Sequence, residues 1–175
     1  MLPSELDEAM LLERCAKGEE SAVKQILERY EPKIFGGVLC LAACDRNAAY
    51  ELTAASFAEA LRVLPQAGAR QSFVRTLLPG VIRRTRAVKA SPRFEPPQVP
   101  GLAPERLQLL RLVKQALLAL PFEARLLLVL RDLWHLRYED IAVLTELPAK
   151  QARADTLQAR QQLRDKTKEA LERLT

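Results

Sequence analysis

The sequence predicts an all-α protein made of two small helical domains. Leu and Ala dominate the 175 residues, of which 49% are hydrophobic and only 5% aromatic, and this composition favours helices over sheet. The segment at 90–104, ASPRFEPPQVPGLAP, holds five of the eleven prolines and cannot continue a helix. We therefore predict domains over 1–89 and 105–175, joined by a semi-rigid, Pro-rich linker at 90–104. A long loop inside a single domain is the alternative.

The first domain is predicted to hold five helices, whose ends are marked by proline or glycine. They run from a Ser4 cap to Gly18 and then over 20–30, 33–43, 47–64 and 72–89. Pro32 and Pro65 are expected to end the helices before them, because proline donates no N–H and its ring clashes with the preceding turn. Pro79-Gly80 should kink or split the fifth helix.

The second domain is predicted to begin with a helix from Pro104 to Leu120, because proline suits the first helical position. Pro121 then opens a helix over 122–133, and the last helix of the chain should reach Leu174. The apolar stripe of the first of these helices is predicted to consist of Leu107, Leu110, Val113 and Leu117.

The stretch Leu136–Leu163 has the pattern of a DNA-reading helix-turn-helix. Two helices are predicted, and Leu147-Pro148 ends the first and turns the chain. The second helix restarts at Ala149, with basic and polar residues in its leading turn. In helix-turn-helix proteins this turn meets the base edges of DNA. The predicted DNA contacts here are Lys150, Gln151 and Arg153.

Charge is spread unevenly along the chain, although the net charge is only +5. Residues 1–59 carry a net charge of −5, residues 60–94 carry +8 without one acidic residue, and residues 95–175 carry +2. An acid-free basic stretch is typical of a surface that binds a polyanion. The alternative is a solvated helix face that balances the acidic N-terminal part. The residues predicted to contact duplex phosphates are Arg83, Arg84, Arg86 and Lys89.

Several classes of function have no support in the sequence. The three cysteines Cys15, Cys40 and Cys44 are too few for a disulfide framework or a metal site, and we expect buried thiols and no metal. Paired carboxylates, Ser-His or Cys-His constellations and Gly-rich phosphate loops are absent, so we expect neither an enzyme nor a cofactor. The acidic N-terminus does not resemble a signal peptide, and no apolar run could span a membrane, which predicts a cytoplasmic protein.

Several motifs together resemble a sigma factor of bacterial RNA polymerase, of the extracytoplasmic-function (ECF) group in the sigma-70 family. The N-terminal segment LLERCAKGEESAVKQILERY looks like the opening helices of this family, and Phe57 with Leu61 fits the helix after them. The stronger C-terminal match consists of Leu120-Pro121 with Arg125, Arg131-Asp132, Leu136-Arg137-Tyr138, Asp140-Ile141-Ala142, and Lys150 to Arg160 with Leu163.

The resemblance implies a function in transcription initiation. The first domain would correspond to sigma region 2, which binds core RNA polymerase and opens the minus-ten element of promoter DNA. The second would correspond to region 4, whose recognition helix enters the major groove at the minus-thirty-five element. An anti-sigma protein is a further expected partner. The residues that keep the family's polymerase-binding pattern are Glu51, Leu52 and Phe57.

The sequence departs from the family pattern where sigma factors bind polymerase and melt DNA. Ala54 and Ala55 replace a Gln-Glu pair, and no aromatic residue that could stack on unpaired bases follows Phe73 in its helix. Asp155 and Thr156 replace a DNA contact and a core leucine. These degenerate motifs suggest an alternative function, a sigma-like protein that binds an anti-sigma factor or regulates transcription through protein contacts without initiating it. A dimeric helix-turn-helix regulator is a third hypothesis.

Overall fold

The computed structural model describes residues 5–67, 72–88, 101 and 103–172, apart from the side chains of residues 5, 6, 66 and 67. The predicted all-α fold class is confirmed, because the described residues form helices and turns and no strand. The helices are α1 (Glu5–Ala16), α2 (Glu20–Ala42), α3 (Arg46–Ala67), α4 (Phe73–Ala87), α5 (Pro104–Leu118), α6 (Phe122–Leu128), α7 (Tyr138–Thr145) and α8 (Ala149–Glu172). A π-helical turn, Val129–Leu133, follows α6 directly.

The chain divides into two compact units. Unit 1 consists of Met1–Val38 and Arg46–Lys89, and unit 2 consists of Leu39–Asp45 and Ala90–Thr175. The predicted domain boundaries at 89 and 105 stay a prediction, since most of the linker at 90–104 lies outside the described residues. No helix within the described ranges is both long and apolar enough to cross a membrane.

The predicted break at Pro32 is wrong, because α2 runs through it without interruption. Its buried residues before the proline, Ala22 and Ile26, continue in the same four-residue spacing as Ile34 and Val38 after it. Burying the side chains of Ile34 and Val38 stabilises the fold by about 1.5–3 kcal/mol each. Together they outweigh the cost of an interior proline, about 3 kcal/mol. The apolar stripe therefore decides the length of this helix.

Two further proline predictions also need correction. Helix α3 continues past Pro65 to Ala67, and α4 is not split at Pro79-Gly80 but continues through both residues, whereas the predicted kink there stays a prediction. Apolar side chains on both sides of this pair are buried in unit 1, and their burial outweighs the combined penalty of roughly 4 kcal/mol for the two residues. The buried side chains are Leu77, Leu78, Val81 and Ile82.

An aromatic cluster joins three helices at the centre of unit 1. The ring of Phe73 lies 5.5 Å from that of Tyr30 and 5.8 Å from that of Phe57, measured between centroids. The carboxylate of Glu8 on α1 accepts a hydrogen bond of 2.9 Å from the Phe73 N–H, and so satisfies a free donor at the start of α4. Burial, together with the Glu8 carboxylate, raises the pKa of Tyr30 to about 12.

Unit 2 is held together by α8, which packs against α5, α6 and α7. Its core includes Leu120, Leu128 and Ala159, with Leu163 against them. The predicted apolar stripe of α5 is wrong in part, because Leu112 and Ala116 are its buried residues and Leu110 is 48% exposed. Leucines occupy every side of this helix, so the packing of α8 selects the buried face.

A buried arginine fixes the ends of helices in unit 2. The guanidinium of Arg125 donates hydrogen bonds to the carbonyl oxygens of Leu118 (3.0 Å), Leu120 (3.2 Å) and Leu41 (2.9 Å). Carbonyls at helix C-termini have no partner within the helix, and a guanidinium supplies donors to several of them at once. Burial lowers the pKa of Arg125. This arginine, quoted above as part of a family motif, is therefore a structural residue.

Candidate nucleic-acid interface

Helices α7 and α8 are joined by a tight turn at Glu146–Pro148. Helix α7 ends at Thr145, and the next residue, Glu146, has a φ of 59°, which lies in the left-handed region. This conformation reverses the chain direction after a helix and is normally taken by glycine. Ile141 of α7 and Ala152 of α8 are fully buried, so the pair of helices presses its apolar sides into unit 2.

The leading turn of α8 presents polar side chains on its outer face. Lys150, Gln151 and Arg153 are all exposed, as a helix that contacts DNA requires. The Gln151 amide donates a hydrogen bond of 2.6 Å to the carboxylate of Asp155, one turn further on. Gln151 is thus engaged within its own helix, whereas Lys150 and Arg153 offer the positive charge of this turn.

The burial of Thr156 and the exposure of Leu157 differ from the pattern of the sigma family, which has a core leucine here. Thr156 is completely buried, and its hydroxyl donates a hydrogen bond of 2.6 Å to the carbonyl of Ala152. Leu157 is 52% exposed and does not replace the missing core leucine. The apolar surface of Leu157 lies on the outer side of α8, which the sequence did not predict.

Arg160 and Arg131 connect α8 and α7 with the π-helical turn. The guanidinium of Arg160 pairs with both carboxylate oxygens of Asp132, one of them at 3.0 Å from Nε. Arg131 donates a hydrogen bond of 2.7 Å to the Leu136 carbonyl and lies 4.8 Å from the ring centroid of Tyr138.

The basic end of α4 contains a compact cluster of charges. Both oxygens of the Glu59 carboxylate accept hydrogen bonds from Nη2 of Arg83, at 2.9 and 2.7 Å. One of these oxygens also accepts a bond of 2.5 Å from Nη1 of Arg84. These bonds to Arg83 and Arg84 lower the pKa of Glu59 to about 2. Arg86 is exposed, and Lys89 lies outside the described residues.

The face of α3 that is predicted to bind polymerase carries little charge. Glu51 is exposed and Leu52 is half-buried, so both can contact a partner. Phe57 is 3% exposed and packs against Phe73, so it offers no surface to a partner and has a structural role instead. Ala54 and Ala55 are exposed, and the positions of the family's Gln-Glu pair therefore show only methyl groups to solvent.

The cysteines behave as small core residues. Cys15 and Cys44 are buried, Cys40 is half-buried, and all three are free thiols. Burial raises the pKa of each thiol. Within the described parts of the chain, no group of three or more His, Cys, Asp or Glu residues is placed to hold a metal ion.

Comparison with known proteins finds a similar solved structure but no match to a family model or a curated protein. Among solved structures, the chain is similar to one in the complex of CnrH with the cytosolic domain of CnrY, at 18% sequence identity and a TM-score of 0.73. The match covers 90% of this chain and 95% of the matched chain. At this identity the likeness shows the fold alone, which is all-α.

Proposed function

We propose that this protein is an ECF-type sigma factor that directs RNA polymerase to promoters. The observation that carries the proposal is the fold likeness over 90% of the chain, which includes both units. The exposed Lys150 and Arg153 in the leading turn of α8 support a contact with promoter DNA. In this proposal the protein acts in the cytoplasm beside core polymerase, which performs the catalysis, and the chain itself uses no cofactor.

Reconstituted transcription tests the proposal. The full chain is mixed with core RNA polymerase, and the mixture is passed over a sizing column and then supplied with a library of promoter fragments. We expect co-elution with core and transcripts that begin at a defined position. Failure of the chain to co-elute with core at micromolar concentration would rule out a sigma factor.

A second function is favoured by the surface of α3. The exposed methyl groups of Ala54 and Ala55 supply neither the hydrogen bonds nor the charge of the family's Gln-Glu pair. Each lost charged hydrogen bond weakens binding by about 1.5–3 kcal/mol, or roughly 10- to 100-fold. A sigma-like protein of this kind would bind an anti-sigma partner without initiating transcription. CnrH in the similar structure is in complex with the cytosolic domain of CnrY, which makes such a partner reasonable here.

The double substitution Ala54→Gln with Ala55→Glu separates the two functions. If the native chain binds core weakly and the variant binds at least about 10-fold more tightly, the second function is favoured. Nanomolar affinity of the native chain for core, unchanged by the substitutions, favours the first. Ala58→Gln, on the same exposed side of α3, controls for a general effect of a larger polar side chain.

A further inference from the structure

Glu59, Arg83 and Arg84 form a site whose geometry is that of an anion bound between two guanidiniums. Nη2 of Arg83 and Nη1 of Arg84 converge on the same oxygen of Glu59, at 2.7 and 2.5 Å. Guanidiniums that converge on one oxygen are typical of phosphate recognition as well as of carboxylate recognition. In this chain a carboxylate on α3 occupies the position between them.

Gly80 makes room for this arrangement. A Cβ atom at this position would lie 3.1 Å from Nη1 of Arg84 and 3.3 Å from a carboxylate oxygen of Glu59. Nη1 of Arg84 also reaches the Gly80 carbonyl at 3.3 Å. The absence of a side chain at Gly80 therefore allows α3 and α4 to bring the carboxylate and the guanidinium together.

The site lies where the sequence changes from acidic to basic. Glu59 is the last acidic residue before the acid-free segment 60–94, and it pairs with two of the arginines predicted to contact duplex phosphates. The ion pairs remain accessible, because 63% of the Arg83 side chain and 29% of the Glu59 side chain are exposed. A phosphate from solution can approach both arginines once the carboxylate moves aside.

We infer that Arg83 and Arg84 form a phosphate site that Glu59 fills in the free protein and a backbone phosphate of duplex DNA takes on binding. Glu59 competes with DNA for the two guanidiniums and so limits the affinity of the chain for DNA of any sequence. Phosphate contacts carry no sequence information, and weakening them raises the share of binding that depends on base contacts. The natural ligand in this inference rests on the proposed function, but the phosphate site itself does not.

Three variants of the full chain test the inference by fluorescence anisotropy with a labelled duplex of random sequence. Glu59→Gln removes the competing charge, and affinity at low salt should rise by about 10-fold. The slope of log affinity against log salt concentration should steepen by the amount expected for about one to two additional phosphate contacts. Glu59→Asp keeps the net charge but is too short to reach both guanidiniums, and affinity should rise by about 3-fold. Glu13→Gln, an exposed acid on α1, changes the net charge equally and should change affinity less than about 2-fold.

The gain must depend on the two arginines. Adding Arg83→Gln and Arg84→Gln to Glu59→Gln should abolish the increase in affinity. If Glu59→Gln behaves like Glu13→Gln, or if the increase survives in the triple variant, the inference is wrong. Glu59→Asp is the more conservative variant, and circular dichroism with a urea midpoint checks that each variant is folded.

Inorganic phosphate tests the site without DNA. Titration is followed by the NMR signals of the arginine side-chain Nε–H groups, and phosphate should shift those of Arg83 and Arg84 in Glu59→Gln much more than in the native chain. A phosphate response without duplex binding by any variant would support the site and count against the proposed function. Duplex binding with no effect of Glu59 in either assay would overturn the site and leave the proposed function standing.

Discussion

The end of α4 and the beginning of α8 both carry arginines predicted to bind DNA, but these arginines differ in what they already contact. Arg83 and Arg84 share the carboxylate of Glu59, which comes from another helix. Lys150 and Arg153 are exposed on the outer face of α8. Positive charge in a sequence therefore gives the electrostatic attraction, whereas the tertiary structure decides which cations are available to a ligand.

The comparison predicts a large difference between two pairs of substitutions. Lys150→Ala with Arg153→Ala should weaken binding to a duplex selected by the native chain about 100-fold, since each good base contact contributes about 1–3 kcal/mol. Arg83→Ala with Arg84→Ala should weaken it less than about 10-fold, because Glu59 already engages these residues. Anisotropy titrations at one salt concentration compare the pairs. Equal losses would remove the distinction between the two regions.

Arg125 extends the comparison to a guanidinium that is buried. Arg125→Met should lower the free energy of unfolding by about 2–3 kcal/mol, because three carbonyl groups lose their donor and charged hydrogen bonds contribute strongly. Urea unfolding followed by circular dichroism measures the change. Arg111→Met, an exposed arginine on α5, is the matched control and should alter stability by less than about 0.5 kcal/mol. Similar values for both variants would show that the buried hydrogen bonds contribute little.

The charge cluster at the end of α4 should make stability depend on acid pH. The pKa of Glu59 is lowered from 4.5 to about 2, so its pairing stabilises the fold above pH 4.5 and is lost as the pH falls towards 2. Urea midpoints measured across this range should fall more steeply for the native chain than for Glu59→Gln. Added salt should reduce the difference, because the groups are partly exposed. Parallel curves for the two proteins would show that the pairing is not maintained in solution.

Gly80→Ala separates helix stability from the geometry of the charge cluster. Alanine is more stable than glycine inside a helix by about 0.5–1 kcal/mol, and the atoms closest to the new Cβ are ends of flexible side chains. The free energy of unfolding should therefore rise by about 0.5 kcal/mol while the pKa of Glu59 moves towards its usual value. Urea unfolding and an NMR titration of the Glu59 carboxyl measure the two effects. A loss of stability would show that the helices cannot accommodate the methyl group.

The smallest effect is expected at the buried hydroxyl of α8. Thr156→Val removes a hydrogen bond to the Ala152 carbonyl, and bonds of this type from threonine to the preceding turn are slightly destabilising in helices. The variant should be more stable by about 0.5 kcal/mol, with DNA binding unchanged. Thr167→Val is the control, because its hydroxyl makes the same bond to Leu163 at a half-buried position. Destabilisation of Thr156→Val alone would mean that the hydroxyl helps to order the core.

The sequence predicted the helices better than their ends and faces. The pattern of apolar residues indicated each helix, but Pro32 and Pro79 were given more weight than the buried side chains around them. Buried Ile26, Ile34 and Val38 lie eight and four residues apart, so they share one helix face across Pro32, and this was the signal that α2 is unbroken. The buried face of α5 had no such signal, because its leucines lie all round the helix.

The candidate sites were predictable to different degrees. The exposure of Lys150 and Arg153 follows from the apolar face of α8, which is local and visible in the sequence. The resemblance predicted that Phe57 contacts a partner, but the structure buries it. An aromatic side chain among small residues also suits a core. The pairing of Glu59 with Arg83 and Arg84 joins residues 24 and 25 positions apart on different helices, and no local pattern could have revealed it.

The all-α class, the turn before α8 and the excess of positive charge at 60–94 were predictable from the sequence, because composition, periodicity and turn residues act locally. The passage of α2 and α4 through their prolines, and the pairing of Glu59 with two arginines of the basic segment, follow from tertiary contacts. The physical reason is that buried surface and paired charge depend on residues distant in the chain, and these contacts outweigh the local preference at a single position.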